Sequence, residues 1–132
     1  RSTLFPYTTL FRSPYRLRSM AHPGTAYDNP IMGTDPQPAH MDGYYAGPLD
    51  NQGVHINSGI PNKAFHTVAT EIGTEAAGLI WYAGLQNLWP TANFSDAASV
   101  LAAQARLLAR EGTVHRQAAQ TVRAAFRGVG IS

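Results

Sequence analysis

The sequence predicts an all-α fold, a cluster of about four short antiparallel helices preceded by a long irregular loop, and three observations predict it. From Asp50 onward apolar residues recur at helical spacing. Gly73, Pro90 and Gly112 punctuate that stretch at the spacing of short helices. From Pro14 to Leu49, by contrast, Pro, Gly, Asp, Asn and Tyr prevail and no helical or strand period persists. The chain therefore divides into 1–13, 14–49 and 50–132.

The first segment reads unlike the rest. Thr3-Leu4-Phe5 recurs as Thr9-Leu10-Phe11, and Arg1-Ser2 recurs as Arg12-Ser13. By propensity Leu4 to Leu10 is a strand broken by Pro6, and an isolated strand is not a stable unit. Thr3 to Ser13 resembles the in-frame translation of a widely used DNA sequencing adapter, so residues 1–13 are expected to be non-native. With no initiator Met ahead of Arg1, the chain is expected to be a fragment.

In 14–49 the turn signals are Asp28-Asn29-Pro30, Gly33-Thr34-Asp35-Pro36 and Asp42-Gly43. Tyr15, Tyr27, Tyr44 and Tyr45 give this loop apolar surface to lay against the helices. The first helix is expected to start near Ser58, because Pro61 fits only in a first turn. It buries Ile60, Ala64, Val68 and Ile72 and stops at Gly73. A second covers Glu75 to Leu88, burying Ile80, Ala83 and Leu88, with Pro90 ending it. Asn93 and Asp96 form a cap signal for a third, whose stripe is Val100, Leu101, Ala105 and Leu108. The last runs from about Val114 to Arg127, with Val114, Ala118, Val122, Ala125 and Val129 inward and Arg116, Arg123 and Arg127 outward.

Composition removes several chemistries. With no Cys there is no disulfide, thiolate zinc site or cysteine nucleophile. No apolar run approaches the ~18 residues of a membrane span, and a formal charge of +2 implies no polyanion partner by itself. The histidines at 22, 40, 55, 66 and 115 have no helical partner three or four residues away, so no helical zinc site can be assembled from them. Nucleophile-elbow, phosphate-loop and dinucleotide motifs are absent.

One dense constellation remains, Asp50-Asn51-Gln52-Gly53-Val54-His55-Ile56-Asn57-Ser58-Gly59-Ile60-Pro61-Asn62. A loop containing Gly53 can fold back so that Asp50 accepts a hydrogen bond from His55, fixing its tautomer and favouring imidazolium. Such a ring can donate to a developing oxyanion. The same residues also read as a helix cap and a solvated surface histidine.

Asp50 to Asn62 closely resembles the active-site segment of the C-terminal domain of thermolysin-like zinc metalloendopeptidases. Leu17-Arg18-Ser19-Met20 with Pro23, and Pro38-Ala39-His40-Met41, are similar to further family segments, as are Ala77 to Tyr82, Pro90 to Ser95 and Ala125 to Gly130. The resemblance implies that His55 stabilises the oxyanion, Asp50 orients it, Arg18 holds a substrate carbonyl, and Leu17 walls the pocket for a bulky apolar side chain after the scissile bond. It also implies peptide or protein substrates, secretion, and a zinc cofactor whose ligands lie upstream in an N-terminal zinc-binding domain of the same intact chain, and it allows calcium. No metal ligand is assigned within this chain, and the chain alone is expected to be inactive, because His-Glu-x-x-His is absent. Gln52 stands where the family commonly has Gly, so a left-handed backbone there would carry strain. His22 and His66 also depart from the family pattern, and both read as surface or core-edge variation. The alternative is a small basic interaction module using Arg116, Arg123 and Arg127. No aromatic residues interleave with those arginines, which argues against nucleic acid.

Overall fold

The structure, a computed structural model, describes residues 16–132; the repeated run 1–13 and Tyr15 lie outside the described residues. The long loop is not wholly irregular. Asp28–Asn29 (β1) and Gly33–Thr34 (β2) pair antiparallel, with Asp28 opposite Thr34. Asn29 closes the hairpin, its Oδ1 accepting the Ile31 and Met32 N–H groups. Strands of two residues are too short to show a period, which is why the sequence reads as loop. A 3-10 turn follows at Met41–Gly43.

A kinked segment, Leu49–Asn57 (α1), leads into four longer helices: Gly59–Ile72 (α2), Thr74–Leu85 (α3), Phe94–Arg110 (α4) and Ala118–Gly128 (α5). Helix α2 packs on α3, α3 on α4, α4 on α5, and α5 closes back on α2. The enclosed core is Ile60, Ala64 and Val68, Ala77 and Ile80, Leu101, Ala102 and Ala105, and Ala118, Val122, Ala125 and Phe126. Its many alanines let the helix axes approach closely. Trp81, half-buried, packs against this core, edge-on to Phe65 at 5.1 Å and stacked on Phe126 at 6.0 Å between ring centroids.

The ends follow local chemistry. Gly73, at φ 96°, stops α2, and Asn93 with Asp96 forms a reciprocal capping box at α4. Two helices differ from their sequence patterns. Helix α3 ends at Leu85, short of Leu88, and turns Ala77, Ile80 and Gly84 inward while Ala83 and Leu88 are only half-buried. Gly84 lies against the Leu101 side chain, where any Cβ would collide, and this close crossing rotates the inward face. Helix α5 starts at Ala118 rather than Val114, because the His115 Nδ1 accepts the Gln117 N–H and holds the preceding residues as a turn. Val114 is buried there all the same. Among the described residues no helix is long and apolar enough to cross a membrane.

The segment 16–48 is anchored to α2 and to the residue that follows α5. Lys63 donates to the Ala21 carbonyl at 2.6 Å, and the Met41 N–H donates to the Val129 carbonyl at 2.8 Å. These contacts lay the loop beside α1, where the candidate site forms.

Candidate functional site

Helix α1 contains two turns of opposite hand. Asp50, Asn51, Gln52 and Gly53 have φ of 56°, 52°, 67° and 82°, a left-handed turn, and a right-handed turn through Asn57 follows. The reversal folds Asp50 back over His55. The Asp50 Oδ1 lies 2.7 Å from the His55 Nδ1, while its Oδ2 accepts the backbone N–H groups of His55 at 2.7 Å and Ile56 at 2.9 Å. Asp50 is therefore both a cap for the right-handed turn and an orienting partner for His55, so the two readings of the sequence describe one arrangement. The His55 side chain is 77% exposed and that of Asp50 24%. A ring so oriented presents its Nε2 to whatever approaches the surface. The hydrogen bond from the His55 ring is the largest cause holding the Asp50 carboxyl below its ordinary range; the Ile56 and His55 amides add to it, against an opposing desolvation effect.

The turn is held from behind by Asn57, which is 4% exposed. Its Oδ1 accepts the Tyr45 N–H and its Nδ2 donates to the Tyr45 carbonyl, both at 2.9 Å. A Cβ on Gly53 would stand 2.8 Å from both the Asn57 Nδ2 and the Tyr45 Cδ2, so this position requires glycine for space as well as for φ. Asp50 and Asn51 are residue types that visit the left-handed region at modest cost, but Gln52 is not. Gln52→Gly is therefore expected to stabilise the chain by about 1 kcal/mol, seen as a melting temperature raised by roughly 4 °C. An unchanged or lowered melting temperature would show that the turn carries no strain at that position.

The structure brings Asp50 and His55 together. Leu17 is 66% exposed, and the Arg18 guanidinium donates to the Leu17 carbonyl at 2.7 Å. Neither residue reaches Asp50 or His55 through a hydrogen bond among the described residues. His22 is exposed, and His40 and His115 accept backbone N–H groups two residues on at their Nδ1 atoms. Among the described residues no three His, Cys, Asp or Glu side chains are grouped to hold a metal ion. A groove of about 640 Å³ adjoins the turn, walled by Gly53, Val54, Tyr44, Phe94 and Ile131 among others, with Asp50 and His55 outside its walls. Sequence reasoning missed Asp35, Gln37 and Asn57, the three buried polar side chains among the described residues, two of which lie in the stretch read as irregular.

Residues 8–131 match the family described as thermolysin metallopeptidase, alpha-helical domain. The chain belongs to that family. The match reaches into the run 1–13. Among its relatives, an extracellular metalloprotease of Pectobacterium carotovorum subsp. carotovorum is 58% identical over 69 residues, 50% of this chain and 20% of that protein. A bacillolysin of Bacillus caldolyticus is 36% identical over 127 residues, 87% of this chain and 21% of that protein. The chain thus spans about a fifth of the length of these relatives. Among solved structures, the precursor of protealysin, a metalloproteinase from Serratia proteamaculans, superposes with a TM-score of 0.79 at 43% identity, over 89% of this chain and 36% of that one. As in the family's description, this metallopeptidase domain is α-helical.

Proposed function

We propose that this chain is the C-terminal helical part of a secreted zinc endopeptidase, in which His55 stabilises the oxyanion formed on peptide-bond attack and Asp50 holds its ring. The observation that carries the reading is the 2.7 Å contact between Asp50 and an imidazole whose other edge is open to solvent. Family membership supports it, as do relatives named extracellular metalloproteases. The zinc of such an enzyme is held by residues outside those described, on a zinc-binding domain of the same intact protein; calcium is a further ion the family allows.

The chain's own residues do the following. Arg18 directs a planar pair of N–H donors at a substrate carbonyl, and Leu17 offers apolar surface to a bulky side chain after the scissile bond. The His55 Nε2–H donates to the carbonyl oxygen as negative charge develops, while Asp50 retains the Nδ1 proton and keeps the ring aligned. Arg116, in the turn before α5, and Arg123 and Arg127 on α5 are exposed and are given no part in this reading.

The test is hydrolysis of a blocked peptide, cleaved before a bulky apolar residue, by the intact protein and by His55→Ala and Arg18→Lys variants. Arg18→Lys is expected to lower kcat/KM on the order of tenfold, since a point charge cannot reproduce the fork. Full activity in both variants would remove the assigned roles.

A further inference from the structure

Asp35 and Gln37 are 4% and 3% exposed, yet both are polar and neither belongs to the Asp50 to Asn62 constellation. The Asp35 Oδ2 accepts the Gly24 and Ala26 N–H groups at 3.1 Å each, in the loop that follows Arg18. Its Oδ1 accepts the Gln37 N–H at 3.1 Å. The Gln37 amide nitrogen then donates to the His55 carbonyl at 2.7 Å and to the Ser58 Oγ at 2.9 Å, and that hydroxyl donates to the same carbonyl at 2.9 Å. The direction of this amide is determined, because a backbone carbonyl can only accept.

Stability alone does not account for Gln37. Its Oε1 is buried with no partner among the described residues. An unpaired buried acceptor costs about as much as a hydrogen bond contributes, so the net stabilisation is small. What the amide supplies is direction. Asp50 clamps the N–H side of His55, and Gln37 clamps the carbonyl side, so both peptide groups flanking the His55 Cα are held. Its 77% exposed side chain takes its aim from that backbone. The clamp itself is rigid: a Cβ on Gly59 would stand 2.6 Å from the Pro38 carbonyl oxygen and 2.9 Å from the Gln37 Cβ, so α2 begins tightly against this segment.

We propose that Gln37, set in place by Asp35, is a positioning residue that aims His55 and fixes the spacing between the His55 turn and the segment bearing Arg18. The proposal rests on the functional reading above for its purpose, but its test reads the Asp50–His55 geometry directly and does not depend on peptide hydrolysis.

The experiment is NMR on the full 132-residue chain, following the Asp50 side-chain carboxyl through an acid titration and the His55 ring nitrogens at neutral pH, with thermal unfolding alongside. Gln37→Met keeps the length of the side chain and removes the donor; Gln37→Glu keeps the shape and sets a repelling oxygen against the His55 carbonyl. Expected for Gln37→Met is a melting temperature close to the wild type with the Asp50 midpoint raised toward the ordinary carboxylate value, because the His55 hydrogen bond that lowers it is loosened. Gln37→Glu is expected to move the His55 ring nitrogen shifts at neutral pH. A melting temperature lowered in either variant with Asp50 and His55 unmoved would overturn the proposal, leaving Gln37 a purely structural residue. Failure of both variants to fold would overturn it equally. Failure of the peptidase reading would appear separately, as an intact wild-type protein that cleaves no peptide.

Discussion

His55→Ala in the intact peptidase is expected to lower kcat by about 10²- to 10³-fold and to leave KM within a few-fold, the pattern of a donor that acts on charge present only in the transition state. The geometry explains the asymmetry. With Nδ1 facing Asp50 and the ring mostly in solvent, His55 has one edge to offer, and a neutral ground-state carbonyl gains little from it. An oxyanion gains far more, because a charge-assisted bond is roughly twice as strong as a neutral one. Steady-state kinetics on both proteins check this; a rise in KM alone, with kcat unchanged, would assign His55 to ground-state binding.

Asp50→Ala is expected to reproduce most of that loss by a different route. Three donors, the His55 ring and the His55 and Ile56 amides, lose their acceptor at once, and the left-handed turn loses what folds it back. Asp50→Asn separates charge from shape. Its carbonyl can still accept the two amides, but its NH₂ faces Nδ1, so the ring must carry its proton on Nε2 as a neutral imidazole. A neutral donor remains, and the loss in kcat is expected to be about 10- to 10²-fold, with the tautomer change visible in the ring nitrogen shifts. Acid dependence follows from the same contacts. The His55 hydrogen bond lowers the Asp50 pKa on folding, so its contribution to stability is present above the unfolded-state pKa. That contribution is lost as pH falls through the lower folded value. Asp50→Asn should flatten that acid limb of the unfolding curve, and an identical limb in both proteins would show that the pair contributes nothing to it.

How far the site was legible depends on where its supports lie in the chain. Asp50 and His55 are five residues apart, and a glycine between them makes their contact a local event, so spacing alone could anticipate it. Gln52 was legible as an anomaly only through the family resemblance, which has Gly at that position, and its φ of 67° bears on the strain expected there. Asp35, Gln37 and Asn57 were not legible, because the contacts that tie them to the rest of the fold reach 9 or more residues along the chain, and 18 from Gln37 to the His55 carbonyl. The signal that could have drawn attention is Asp35-Pro36-Gln37-Pro38, where two prolines stiffen a short polar stretch.

The helices were specified by sequence where periodicity and caps agreed, as at Ile60, Ala64 and Val68 and at the Asn93–Asp96 box. Their existence and the identity of the His55 turn were determined at that level, because helix formation, capping and a left-handed turn depend on neighbours a few residues away. Which face of α3 turns inward, where α5 begins, and how the segment after Arg18 is joined through Asp35 and Gln37 to His55 were decided only in the tertiary structure. Those outcomes depend on close crossings such as Gly84 against Leu101, and on buried polar groups that must find partners across the fold, and a one-dimensional pattern carries neither.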